Sequence, residues 1–240
     1  MNRRFFTILF VTVFLVSSAL TVFGAQKTID KIKFPPLNEA KMPAIEKAVL
    51  DNGLTVYLLE DRELPLVNAR VRLAAGEYLS PSEKIGLANI MGEVMRTGGT
   101  EKMTGDEIDA ALEAIGASIE VNIGNTSGSA SMNILSEYTD MGLQLLADIL
   151  RRPVFAQDKI DLKKTALRSS IARRNDEPLD ICLREFRKII YGKDSPYARH
   201  TEYFTIDNVS RDDLVAFHKK YISPENAMLA IWGDFDKNEM

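Results

Sequence analysis

Residues 86–100, GLANIMGEVMRTGGT, hold the positions of this chain whose types and spacing come closest to chemistry. Leu87, Ile90, Met91, Val94 and Met95 recur at helical spacing as one apolar stripe, and the opposite face carries Asn89, Gly92, Glu93 and Arg96. Asn89 and Glu93 stand one turn apart on that face with Gly92 beside them. Gly92 also costs its helix roughly 1 kcal/mol relative to alanine, so a plain surface helix would not choose it.

The remaining reactive residues form no better constellation. His200 lies in a polar loop with Glu202 as its neighbouring carboxylate, and His218 lies in the helical LVAFHKKY; both read as structural or exposed. Asp176 and Glu177, near the end of a long helical pattern, are an adjacent carboxylate pair of the kind that is ordinarily solvated. Cys182, the single cysteine, excludes an internal disulfide and reads as a small buried hydrophobe on a helix. There is no H-E-x-x-H, no H-x-x-E-H, no phosphate loop and no G-x-S-x-G elbow.

The elements that must position these residues can be read around them. Residues 1–25 have a basic start, an apolar run and small residues near Gly24 and Ala25, the layout of a cleaved signal peptide. Retention as a membrane anchor is the alternative, since the run approaches the ~20 residues that span a bilayer. Export to the periplasm or secretion is therefore expected. Without Arg3 and Arg4 the 30 basic side chains fall to 28 against 34 acidic ones, a net charge of −6. With no basic cluster among aromatics, a nucleic-acid partner is not expected.

Residues 26–43 read as an extended lead-in with three prolines, and 44–240 as one domain. Asn52-Gly53 joins two strand-like runs as a hairpin, and LVNARVRL continues as a strand. Ser80-Pro81-Ser82-Glu83 has the capping-box form and is expected to open the helix of GLANIMGEVM; Thr104 with Glu107, and Ser210 with Asp213, open two others. Gly98-Gly99-Thr100 reads as a helix stop. Two strand-like runs flank a Gly/Ser/Asn-rich turn over 116–135, helical patterns fill 138–151, 157–175 and 179–191, and AMLAIWGD is a buried closing strand. Grouped strands with helix pairs give an α+β class, a mixed or antiparallel sheet with helices on one face. The sequence stops at FDKNEM, where another element would begin, so a second homologous domain is expected beyond it.

Ordered along the chain, LDNGLTVYLLED, VRLAAGEYLSPSEKIGLA, MTGDEIDAALEAIGASIEV, LLADILRRPVFAQDKIDLKK and DSPYARHTEYFTIDNVSRDDLVAFHKKYISPENAMLAIWGDFD resemble the N-terminal domain of the pitrilysin/insulinase family of zinc peptidases, which includes the mitochondrial processing peptidase. The resemblance implies that GLANIMGEVM is the helix on which that family carries H-x-x-E-H. The first zinc ligand then falls at Asn89, the general base at Gly92, the second ligand at Glu93 and the third, a downstream glutamate, at Ser170. All four functional groups are absent, and no histidine lies between 80 and 180 to replace them. A catalytic zinc takes three protein ligands, so no cofactor is expected here and zinc is expected only on a partner.

The resemblance implies a non-catalytic member that supports peptide binding and proteolysis by a homologous zinc-peptidase subunit bearing H-x-x-E-H. The alternative is an independent peptide-binding module using a sheet edge, with Ile119, Glu120 and Val121 nearest the lost site. An active hydrolase built on Asp176 and Glu177 is the third and least supported reading.

Overall fold

Alternation of apolar and polar residues becomes a six-stranded sheet in the computed structural model, which describes residues 43–240. The expected signal segment and the lead-in up to residue 42 lie outside the described residues. Glu46–Val49 (β1) and Thr55–Glu60 (β2) form the hairpin around Asn52-Gly53. Leu66–Leu73 (β3), Ser118–Ile123 (β4), Gly128–Leu135 (β5) and Ala227–Gly233 (β6) complete the sheet in the order β1-β2-β6-β3-β5-β4. β6 runs parallel to β2, and every other neighbouring pair is antiparallel. The last strand of the sequence thus closes the centre of the sheet, and β4 stands at one edge.

Register puts the apolar residues of four strands on one face. Val67, Ala69 and Val71 of β3 lie opposite Ile134, Met132 and Ala130 of β5, which lie in turn against Ile119 and Val121 of β4 and, through β3, Ile231 of β6. All of these are buried. Arg70, Arg72 and Glu120 project on the other face and are exposed, with Asn133 Nδ2 donating to Asn68 Oδ1 across it at 2.8 Å. A period of two therefore sorts the sheet into a wet face and a face that must be covered.

Seven helices are present among the described residues: α1 (Leu87–Thr97), α2 (Gly105–Glu113), α3 (Thr139–Arg151), α4 (Gln157–Arg173), α5 (Pro178–Tyr191), α6 (Tyr203–Asp207) and α7 (Arg211–Tyr221). The stripe of α1 is wholly buried, and Ile90, Met91, Val94 and Met95 join the sheet residues in a single core with Ile149 of α3, Ile160 of α4 and Leu214 of α7. Each such side chain contributes about 1.5–3 kcal/mol by leaving water. The capping boxes of α2 and α7 form as expected, Thr104 with Glu107 and Ser210 with Asp213, each side chain accepting the other residue's backbone N–H.

Two expectations are corrected. Ser80-Pro81-Ser82-Glu83 does not cap α1: Ser82–Lys84 is a separate 3-10 turn, and α1 begins only after Gly86. The physical reason is Gly86 at φ +109°, a left-handed kink between turn and helix that needs glycine. Cys182 is not buried but exposed on α5, because α5 has no buried residue at all.

Candidate functional site

With Ser80 unable to cap it, α1 takes its N-terminal support from Glu77. The carboxylate accepts the Gly86 N–H at 2.6 Å and the Asn89 N–H at 3.1 Å, one oxygen for each. These are amides that a helix start leaves without partners, and the positive end of the helix dipole favours the negative charge. Burial pushes the Glu77 carboxyl above its ordinary value, against the opposing pull of the Gly86 and Asn89 amides. Anchored in this way, α1 runs beside the edge strand β4 and packs on α4.

Gly92 is where α1 meets β4. A Cβ at this position would lie 2.8 Å from the Ile123 amide nitrogen and 2.9 Å from its Cγ1. Real Cβ contacts do not come so close, so glycine at 92 is a condition of the present packing. The space into which a catalytic side chain would project is filled by the end of β4. One turn on, Arg96 Nε donates to the Ile119 carbonyl at 3.0 Å, and its guanidinium pairs with Asp109 of α2. Between them Glu93 is paired with Lys163 of α4.

The four positions that the resemblance would assign to a zinc site therefore do different things. Asn89 is half-buried and gives its backbone amide to Glu77. Gly92 is buried against Ile123, and Glu93 is exposed and neutralised by a lysine. Ser170 is exposed on α4, two turns or about 10 Å of helix rise beyond Lys163, so Lys163 rather than Ser170 is what α4 offers to Glu93. No three His, Cys, Asp or Glu side chains among the described residues gather as a metal-binding group. A lysine beside Glu93 also favours the charge arrangement a dication would disrupt.

At the β4 edge, Ile119 and Val121 are buried on the core face and Glu120 is exposed on the other. The Ile119 carbonyl is held by Arg96 and the Ile123 amide faces Gly92, so α1 occupies both ends of the outward main chain. Backbone alternation in β4 leaves the Val121 N–H and C=O between them.

The other reactive residues serve the fold. His218 Nε2 lies 2.8 Å from the Leu150 carbonyl, and its ring meets Phe155 edge-on at 5.7 Å. Burial lowers its pKa, with the Leu150 carbonyl opposing. His200 contacts Glu202 at 3.0 Å, and Arg174 reaches the same carboxylate at 2.9 Å. Asp176 and Glu177 are exposed in the turn between α4 and α5. Sequence reasoning missed Glu77, Arg96, Ile123 and Lys163 as partners of the site. Gly92 on a polar helix face was the one sign of close approach, but it does not name the strand that approaches.

Comparison with known proteins shows what the chain is similar to. The insulinase (peptidase family M16) model matches residues 55–203, and the peptidase M16 inactive-domain model matches 208–240. An uncharacterized zinc protease of Rickettsia bellii is 28% identical over 197 residues, covering 80% of this chain and 46% of that protein. The non-peptidase homolog YmxG of Helicobacter pylori is 24% identical over 165 residues, 68% of this chain and 35% of its own length. Among solved structures, the peptidase M16 inactive domain from Pseudomonas fluorescens aligns with a TM-score of 0.75 at 24% identity, over 82% of this chain and 48% of that one. The chain spans less than half the length of each of these three.

Proposed function

The chain belongs to the insulinase family, peptidase M16, and from that premise we propose that it is a non-catalytic member, acting by association with a homologous subunit that carries H-x-x-E-H and zinc. The observation that carries this reading is the packing at Gly92. On this reading α1 is the helix that bears the family's chemistry; it is anchored at its start, position 92 is closed by Ile123, and Glu93 is paired with Lys163. A domain that keeps its architecture and loses its reactive groups acts through shape. The reading assigns it a wall and a peptide-holding edge in the partner's chamber, with Ile119, Glu120 and Val121 of β4 as the edge residues, and the Val121 N–H and C=O, between the two points that α1 holds, as the main-chain groups that would meet the peptide.

Export by residues 1–25 and a periplasmic or secreted address belong to the same proposal. No described helix is long and apolar enough to cross a membrane. Independent peptide binding through β4 is the second reading, favoured by the position of β4 at the sheet edge.

Elemental analysis of the dialysed chain tests the first half of the proposal. Far less than one zinc per chain is expected; near-equimolar, chelator-sensitive zinc would refute a non-catalytic site. Co-expression with an H-x-x-E-H homologue tests the second half, since a stable pair burying at least about 1,000 Å² should co-elute on sizing.

A further inference from the structure

Helix α5 is amphipathic, yet it buries none of its residues and packs no more than marginally on any other described element. Leu179, Leu183, Phe186 and Ile190 follow spacings of four, three and four, which places them in one stripe. Leu179 is 66% exposed, Phe186 55% and Ile190 57%. An apolar patch of this breadth is on the order of several hundred Å², the size that marks interaction sites on otherwise polar surfaces. The helix is held in place from behind, where Arg184 donates to Asn175 Oδ1 at 2.8 Å and to the Arg174 carbonyl at 3.3 Å.

The flanks of the stripe say what covers it. Asp180 and Arg187 stand seven residues apart on one flank, and neither side chain has an ion-pair partner among the described residues. Their neighbours do: Glu185 is paired with both Lys188 and Arg184. We infer that α5 is a self-association face, covered by α5 of a second copy of this chain lying antiparallel across a two-fold axis.

A two-fold of this kind brings like flank against like flank, with the helix direction reversed. Asp180 of each copy then faces Arg187 of the other, forming two ion pairs from four unpartnered charges. Level pairing of Leu179 with Ile190 and of Leu183 with Phe186 leaves these charges offset by two residue rises, ~3 Å along the axis, which their side chains span. A parallel pair would set this flank against the opposite one, that of Cys182 and Ile189, leaving Asp180 and Arg187 without partners, and it would align the helix dipoles instead of cancelling them. A lipid surface is the poorer occupant, because a helix lying on a membrane carries a polar face rich in Lys and Arg, not balanced pairs of both signs. The inference goes beyond the zinc-bearing partner proposed above and does not depend on it.

The test uses the full chain and its only cysteine. Cys182 lies on the opposite flank, and the antiparallel register brings the two copies' thiols to about five residue rises apart, ~8 Å along the axis, within reach of a short bis-maleimide. Light scattering at about 10 µM should give a dimer mass, and the reagent should give a cross-linked dimer. Asp180→Arg and Arg187→Asp should each weaken the dimer about tenfold, and the double variant D180R/R187D should restore it. Association through any other segment would be blind to these swaps, and both positions are exposed, so folding is checked by unchanged circular dichroism. A monomeric wild-type chain, single swaps without effect, or a double variant that fails to restore the dimer would each overturn the inference. If the wild type is monomeric and the single swaps abolish co-elution with an H-x-x-E-H homologue, the face belongs to that partner and self-association is refuted.

Discussion

At Gly92 a single missing side chain decides how α1 meets the sheet. Glycine within a helix ordinarily loses to alanine by roughly 1 kcal/mol, so Gly92→Ala would be stabilising on propensity alone. Here the added methyl would stand 2.8 Å from a backbone nitrogen that belongs to a paired strand. Overpacking of this kind costs about 1–3 kcal/mol, more than the propensity gain. Gly92→Ala is therefore expected to lower the urea midpoint, and Gly92→Glu to lower it further. A stabilised alanine variant would mean that β4 yields easily and that the site is less closed than described. On the proposed reading, installing the family's four groups at 89, 92, 93 and 170 would require α1 and β4 to separate and would remove the partner of Lys163.

Between elements, His218 is the joint with a readable pH signature. It ties α7 to the end of α3 through the Leu150 carbonyl and packs its ring on Phe155. Burial holds its pKa below the ordinary 6.5, so the unfolded chain takes up the proton first as pH falls. The stability this joint contributes is present above pH 6.5 and is lost as pH falls from there toward the lowered folded value. Urea melts at pH 7.5 and 5.5 should show wild type losing stability relative to His218→Gln across that interval; a constant difference would contradict the lowered pKa of the half-buried imidazole. The elements themselves were largely legible. Thr104 with Glu107 and Ser210 with Asp213 cap where their spacing says they should, and the Asn52-Gly53 turn makes its hairpin. Ser80-Pro81-Ser82-Glu83 misled because a capping box is a local pattern, whereas Gly86 and the distant carboxylate of Glu77 decide where α1 starts. Lys163, seventy residues from Glu93, was beyond any local pattern. Cys182 read as buried because an amphipathic helix implies a cover, and the described residues supply none for α5.

At the scale of the whole, residues 43–240 form an insulinase-type layer of sheet and helices, and on the proposed reading its reactive face serves as packing. The proposed role is carried out through another chain, so the direct measurement is peptidase activity of an H-x-x-E-H homologue with and without this protein. Peptide hydrolysis per zinc should rise several-fold when the two are co-expressed and purified as a pair, and this chain alone should hydrolyse nothing. A homologue that is fully active alone, gains nothing from this chain and never co-elutes with it would contradict the account.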